Sequence, residues 1–312
     1  MEMNGHRLTK MPKISDDTKN TMAKLLGKEG LVIVGPSGTD SKDNHMRIYI
    51  YGGRIGGAPL GKAEWELPSD AYKNHNSMLE EYFSGEYNKE DKKKLYEQND
   101  DFLKAIVTAA KNRFKSEGTI KERAVQTDLV RKYLSKELES GYIICDMEHA
   151  VPQGKTPTGK KRSDFDIIIL NPHSGKAGLI ELKSNSKACE NIKSGLKAHL
   201  EDILDCMNLE YVRDNILYRY ACLQNAGLIS KDLPKATDIE PIFSAFGGFL
   251  FIDDGSKTLS TKKDVVEICE KCFEDDIKYL EEKENKIRFL YADSANDVDF
   301  TQMQSWVDFK KS

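Results

Sequence analysis

No stretch of this 312-residue chain approaches the roughly 20 consecutive apolar residues that a membrane-spanning helix requires. The longest apolar run, Pro241–Ile252, is interrupted by Ser244, Gly247 and Gly248, so no membrane partner is expected. The first residues, MEMNGHRLTK, lack the apolar core of a secretory signal. Cysteine is sparse, with six scattered residues. That argues against a disulfide framework and for a reducing compartment, and the expected location is cytoplasmic. Positive charge is not in excess: 47 Lys and Arg against 51 Asp and Glu leave a net charge of −4. A generically basic nucleic-acid coat is excluded, whereas a local basic patch remains compatible with nucleic-acid binding. Neither Gly-x-Ser-x-Gly nor His-Glu-x-x-His occurs, so serine-hydrolase and zinc-protease readings lack support.

What is present is ordinary for a folded protein: 39% hydrophobic and 31% charged residues, which excludes a wholly disordered or collagen-like chain. At roughly 100–200 residues per domain, the length suggests two domains or one with an appendage. Residues 1–115 read as a smaller β-plus-helix domain. Leu31–Val34 and Met46–Tyr51 look like strands, each ended by glycine chemistry. Gly52–Gly61, rich in glycine, suits turns and a close backbone approach rather than a packed element, and Lys62–Leu67 suggests one more strand. From Ser69 to Lys115 the periodicity is helical.

Residues 116–312 read as a complete α/β domain. An amphipathic helix is expected over Thr119–Leu138 and strands over Tyr142–Val151, Asp166–Leu170 and Ala177–Lys183. Helices follow over Lys187–Tyr211 and Asp214–Ala226, a buried strand over Ile242–Ile252, a helix over Thr261–Glu282 and a last strand over Ile287–Tyr291. This order predicts an α/β (α+β) fold in which a mixed sheet is flanked by helices.

The informative segment is Ser163-Asp-Phe-Asp-Ile-Ile-Ile-Leu170, a turn, and Gly178-Leu-Ile-Glu-Leu-Lys-Ser184. Side chains alternate along a strand, so Glu181 and Lys183 share a face that Leu182 does not. A hairpin through Pro172–Gly175 brings Asp166 beside Glu181. Two neighbouring carboxylates repel, and a divalent cation is the natural counter-charge. Carboxylate, water and phosphate oxygens are the ligand set of Mg²⁺, and a nearby lysine suits activation of water and stabilisation of charge on phosphorus. The chemistry indicated is metal-assisted phosphodiester hydrolysis.

On these residues and this element order, the chain resembles the PD-(D/E)XK phosphodiesterase superfamily over about residues 119–291. The resemblance implies a restriction-endonuclease-like fold and a Mg²⁺-dependent endonuclease, with Mn²⁺ as a substitute cofactor. It assigns Asp166 and Glu181 as metal-binding acids, Lys183 as the catalytic lysine and the Leu182 carbonyl as a further metal ligand. It also implies DNA as the first-choice nucleic-acid partner, a role in restriction or another prokaryotic defence, and a homodimer. No proline precedes Asp166, whose neighbour is Phe165, a departure from the name pattern. Asp164 has the same strand parity, but Asp166 directly abuts the β run and is preferred. Many members also use a Glu from the first core helix. Glu122 is the candidate here, and Thr119–Glu122 fits a capping box equally well. Gln126, one turn on, is a candidate substrate contact, and Glu148 is either a further acid ligand or a solvated strand residue.

Lys155, Lys160, Lys161 and Arg162 form an acid-free basic loop immediately before Asp166, suited to a phosphate backbone. Gly35–Lys42 lacks the spacing of a phosphate-binding loop and reads as a turn. Cys269 and Cys272 have metal-like spacing without a second pair, and both are expected in the core. The histidines show no ligand or triad spacing. Two alternatives stand beside the nuclease: a non-catalytic nucleic-acid- or protein-binding module on the same fold, and a ribonuclease.

Overall fold

The computed structural model describes residues 13–26, 31–36, 45–51, 53–61, 63–76, 79, 82, 89–117, 120–133, 141–152, 162–207, 210–253, 255, 257–282 and 286–311. The chain forms two compact units, Met1–Lys136 with Tyr218–Asp232, and Glu137–Leu217 with Leu233–Ser312.

In the first unit, helix α1 (Asp16–Leu26) buries Thr18, Thr21, Met22 and Leu25 at helical spacing. Strands β1 (Val32–Val34), β2 (His45–Ile50) and β3 (Gly53–Pro59) form an antiparallel sheet in that order. Helices α2 (Lys89–Gln98), α3 (Asp100–Ser116) and α4 (Ile120–Tyr133) complete it. The glycine-rich segment expected to be turns is thus mostly a strand. Its missing side chains admit the close approach foreseen: the Tyr96 hydroxyl donates to the carbonyls of Ile55 (3.0 Å) and Glu66 (2.8 Å). A Cβ at Gly56 would lie 2.0 Å from that hydroxyl. The strand expected over Lys62–Leu67 is reduced to a single bridge, Gly57 with Glu66.

The sequence set a domain boundary at residues 115/116, whereas the units divide after Lys136 and α4 groups with the first. Packing explains the grouping, since the Arg123 guanidinium of α4 lies 4.6 Å from the Phe114 ring centroid of α3.

The second unit is built on a five-stranded sheet ordered β4 (Ile143–Pro152), β5 (Arg162–Leu170), β6 (Lys176–Lys183), β7 (Ser244–Ile252), β8 (Ile287–Ala292). The first three strands are antiparallel, while β6, β7 and β8 run parallel. The β5–β6 hairpin turns as expected. The Asn171 side chain accepts from the amides of His173 and Ser174, and Gly175 closes the turn at φ +68°.

Along the chain between β6 and β7 come α5 (Ser186–Glu190), α6 (Leu196–Cys206), α7 (Glu210–Ala226), which belongs to the first unit from Tyr218 onward, and the short α8 (Ala236–Ile239). The single helix expected over Lys187–Tyr211 is broken because Asn191 captures the amides of Lys193 and Ser194. The one expected over Thr261–Glu282 is likewise two, α9 (Lys262–Cys272) and α10 (Ile277–Glu282), and α11 (Trp306–Lys311) follows β8. Phe249, Phe273, Phe289, Trp306 and Phe309 form a chain of ring contacts, with Phe289–Trp306 centroids 5.1 Å apart. All five are essentially buried, a large apolar cluster of this unit.

The protein is therefore a mixed α/β fold with a small antiparallel sheet and a larger mixed one. Among the described residues no helix is long and apolar enough to cross a membrane, and all six cysteines are free thiols.

Candidate active site

The β5–β6 register ends at Ile167 opposite Ile180, so Asp166 and Glu181 face each other where the strands part. Directly opposed residues of antiparallel strands share a face. The Asp166 carboxylate takes up the first unpaired amide beyond the ladder: the Leu182 N–H donates to its Oδ2 at 2.7 Å. Glu181 and Lys183, two apart, are together on one face, with Lys183 Nζ donating to Glu181 Oε1 at 2.5 Å. Both side chains are almost completely buried, at 5% and 6% exposure.

A third group completes this pair. His199, in the first turn of α6, places Nε2 3.0 Å from the same Glu181 Oε1. Burial alone would raise the Glu181 carboxyl, but the Lys183 ammonium and the His199 imidazole outweigh it and hold the group below its ordinary pKa. Neither contact uses Glu181 Oε2. His199 Nδ1 is buried without a hydrogen-bond partner among the described residues.

Helix α6 can reach this depth because of two local features. The Asn191–Gly195 turn re-aims the chain before the helix, with the Gly195 amide donating to the Asn191 carbonyl at 2.6 Å. At Gly247 on β7, a Cβ would stand only 1.9 Å from Ile203 Cγ2 of α6. The helix rests on bare backbone there, and His199 is carried down to Glu181.

On the other side of Asp166 lies Glu148. The β4–β5 pairs Met147–Ile167 and His149–Phe165 bracket it, so Glu148, Asp166 and Glu181 occupy corresponding positions on three adjacent strands. Glu148 is half-buried and has φ +51°, a left-handed conformation uncommon for a residue with a side chain. Backbone strain of this kind, costing about 1–3 kcal/mol, concentrates at functional sites.

Of the other residues singled out by sequence, Glu122 is half-buried and Gln126 is buried, both on α4 of the first unit. Lys155, Lys160 and Lys161 lie outside the described residues. Arg162 and Asp164 are placed only as backbone positions of β5. Residues 37–44, most of the glycine-containing loop, are also outside. Cys269 is buried, whereas Cys272 is only half-buried, its thiol donating to the Cys189 carbonyl at 3.6 Å.

His199 is the residue whose role sequence reasoning missed: grouped with Lys187, Lys193 and Lys197 it reads as a mixed surface position on a basic helix, whereas its side chain is only 14% exposed and turned onto Glu181. It lies 18 residues from Glu181 and belongs to no motif. A usable signal did exist: His199 is three residues after Leu196 and four before Ile203, both buried, so helical periodicity places it on the core-facing side.

No family model, curated protein or solved structure matches this chain. Among the described residues no three His, Cys, Asp or Glu side chains are arranged to hold a metal ion. A hard cation such as Mg²⁺ needs only one or two carboxylates, with water and phosphate oxygens completing its shell. Asp166 and Glu181 on neighbouring strands, with the Leu182 carbonyl between Glu181 and Lys183, fit that limited requirement.

Proposed function

We propose that this protein is a metal-dependent nuclease of the restriction-endonuclease-like fold, hydrolysing phosphodiester bonds, with DNA as its substrate. The observation that carries the reading is the concentration of Asp166, Glu181 and Lys183 where β5 and β6 separate. An apolar sheet has no packing reason to bury a carboxylate and an ammonium there. Each carries a desolvation cost of several kcal/mol before the pair is formed.

Asp166, the Leu182 carbonyl and Glu181 through Oε2 are the groups that would hold Mg²⁺, or Mn²⁺ in its place. The ion would polarise the phosphoryl oxygens and lower the pKa of bound water. Lys183 supplies positive charge where negative charge develops on phosphorus, and it orients the attacking water. His199 holds Glu181 in place through Oε1, and its imidazole adds a second donor that keeps the carboxylate ionised. Lys155, Lys160, Lys161 and Arg162 steer the substrate backbone by counterion release. Restriction or another prokaryotic defence role follows by analogy with the fold alone, as does action as a homodimer when both strands are cut.

The test is incubation of wild type and Asp166→Asn with plasmid, linear duplex, single-stranded DNA and RNA, each with Mg²⁺, Mn²⁺ or EDTA. The asparagine keeps an oxygen for the Leu182 amide and removes the charge. Losing a metal's outer-shell support already costs about 10–100-fold, so loss of a ligand should slow cleavage by more than ~100-fold. Cleavage by wild type with Mg²⁺, abolished by EDTA and by the variant, is the expected result. Absence of metal-dependent cleavage on every substrate, or equal rates for the two proteins, overturns the reading. In that case the Glu181–Lys183–His199 group is a structural ion pair.

A further inference from the structure

The turn that joins α5 to α6 holds an apolar side chain in water. Its shape is fixed from within: Asn191 Oδ1 accepts from the amides of Lys193 (2.9 Å) and Ser194 (3.1 Å), and the Gly195 amide donates to the Asn191 carbonyl. A Cβ at Gly195 would stand 2.3 Å from that carbonyl oxygen, so the backbone is closely wound. Ion pairs fix both flanks, Glu190 with Lys271 before the turn and Lys197 with Asp275 (3.1 Å) after it. On this mount Ile192 is 95% exposed, and among the described residues Ile242, at 51%, is the only other exposed large apolar side chain. Single exposed apolar residues ordinarily need no explanation. Here, however, turn positions favour Gly, Asn, Asp or Ser, and the fixed backbone keeps Ile192 from folding back onto apolar surface.

The turn stands at the candidate active site. Ile203 of α6 rests on Gly247, which pairs with Leu179 of β6, while His199, one turn earlier, reaches Glu181. Helix α6 therefore runs opposite to β6. Gly195 lies about 6 Å beyond His199 along the helix, and Lys183 lies roughly 7 Å beyond Glu181 along the strand. Both come to the same level, so the turn projects past the strand end that carries Lys183. Its free charge is positive. Glu190 and Lys197 are engaged in the pairs above, whereas Lys187 and Lys193 are exposed and form no ion pair among the described residues. Helix α6 opens without an acid in its first turn, so nothing at its start repels an anion.

We propose that Ile192 is a wedge that enters the base stack of duplex DNA beside the bond to be cut, with Lys187 and Lys193 on the flanking phosphates. The inference rests on the nuclease reading and names a contact by which that site holds its substrate. Isoleucine is among the apolar side chains that part base steps when a protein presses them into a duplex. A wedge needs a rigid mount, which the Asn191 side chain and the two flanking ion pairs supply. Lysines beside it draw in the polyanion and hold its backbone through counterion release. Free positive charge and closeness to Lys183 favour DNA over an apolar protein surface as the occupant.

Duplexes carrying 2-aminopurine at successive positions, titrated with the full chain in EDTA so that they stay intact, test it, with cleavage in Mg²⁺ measured alongside. Binding by wild type should raise the fluorescence at one base step, where the stack is opened. Ile192→Ala should abolish that rise and weaken binding about tenfold, the effect of losing one apolar contact with a base. Ile192→Met should retain both. Lys193→Ala should keep the rise and reduce the salt dependence of binding by about one counterion. Both side chains are solvated, so these variants should fold as wild type does. Wild type that cleaves but raises no fluorescence at any position overturns the wedge and leaves the nuclease reading standing. So does an Ile192→Ala protein with wild-type signal and affinity, including one that has lost self-association instead. Wild type that neither binds nor cleaves any duplex overturns both.

Discussion

Glu181 and Lys183 show how one contact can be costly to break and still contribute little net stability. Two buried charges lose their hydration, and their attraction roughly restores what was lost. Removing only one partner leaves the other charged and dry. Lys183→Met should therefore destabilise the protein by about 3–5 kcal/mol, a cost to separate from any catalytic defect. Adding Glu181→Gln should recover part of it, with a coupling of about 1–3 kcal/mol between the sites. Urea denaturation of the two single variants and the double variant measures this. Strict additivity would mean that the 2.5 Å contact carries no energetic coupling. At this scale Asp166, Glu181 and Lys183 were legible because strand alternation and a hairpin turn are local properties. The role of His199 was not, since its partner is supplied by tertiary packing. The left-handed backbone of Glu148 was also hidden, because nothing in the residue type announces it.

Among the elements, α6 depends on close packing at a single position. Gly247 offers it a surface without a side chain, and a methyl group there would overlap Ile203 Cγ2. Gly247→Ala should cost about 1–3 kcal/mol by overpacking. In an Ile203→Ala background the added methyl would enter vacated space, and the same substitution should be neutral or stabilising. Thermal denaturation of the four proteins decides it, and equal destabilisation in both backgrounds would rule out the packing argument. Strand positions were legible because β5 carries the run Ile167–Leu170, β7 is rich in phenylalanine, and β6 is a short apolar run, Ala177–Leu182 broken only by Glu181, bounded by turn chemistry. Helix breaks were less so. Periodicity continues through Asn191–Gly195 and Phe273–Asp276, and side-chain capture of backbone amides, as by Asn191, ends a helix without disturbing the apolar pattern. Glycine content misled about the element type in β3: the close approach it foretold is there, with Gly56 leaving space for Tyr96 and Gly53 for Phe114 and Tyr72, but within a strand and not a run of turns.

For the molecule as a whole, the second unit is closed by the last residues of the chain. Trp306 and Phe309 complete the ring cluster begun by Phe249, Phe273 and Phe289. Truncating either aromatic to alanine should cost about 3–5 kcal/mol, a large share of the 5–15 kcal/mol that roughly bounds a domain's stability. A chain ending at Gln304 should lose both, and with them the cooperative unfolding of the second unit and its near-ultraviolet circular dichroism. Retention of both signals would show the cluster to be dispensable. The two-part organisation was legible from length and from the change of pattern near residue 116. The location of the division was not, because α4 is grouped with the first unit by tertiary contacts such as Arg123 on Phe114, which leave no mark in the local pattern.

The parallel pairing of β6 with β7 has a consequence for biosynthesis. Residue 183 leaves the ribosome about 60 residues ahead of the strand that will flank it. Meanwhile the nascent chain displays Leu179, Ile180 and Leu182 along an open sheet margin, a template for unwanted pairing with other chains. Slow translation or chaperone shelter through this interval should decide how much of the protein is recovered in usable form.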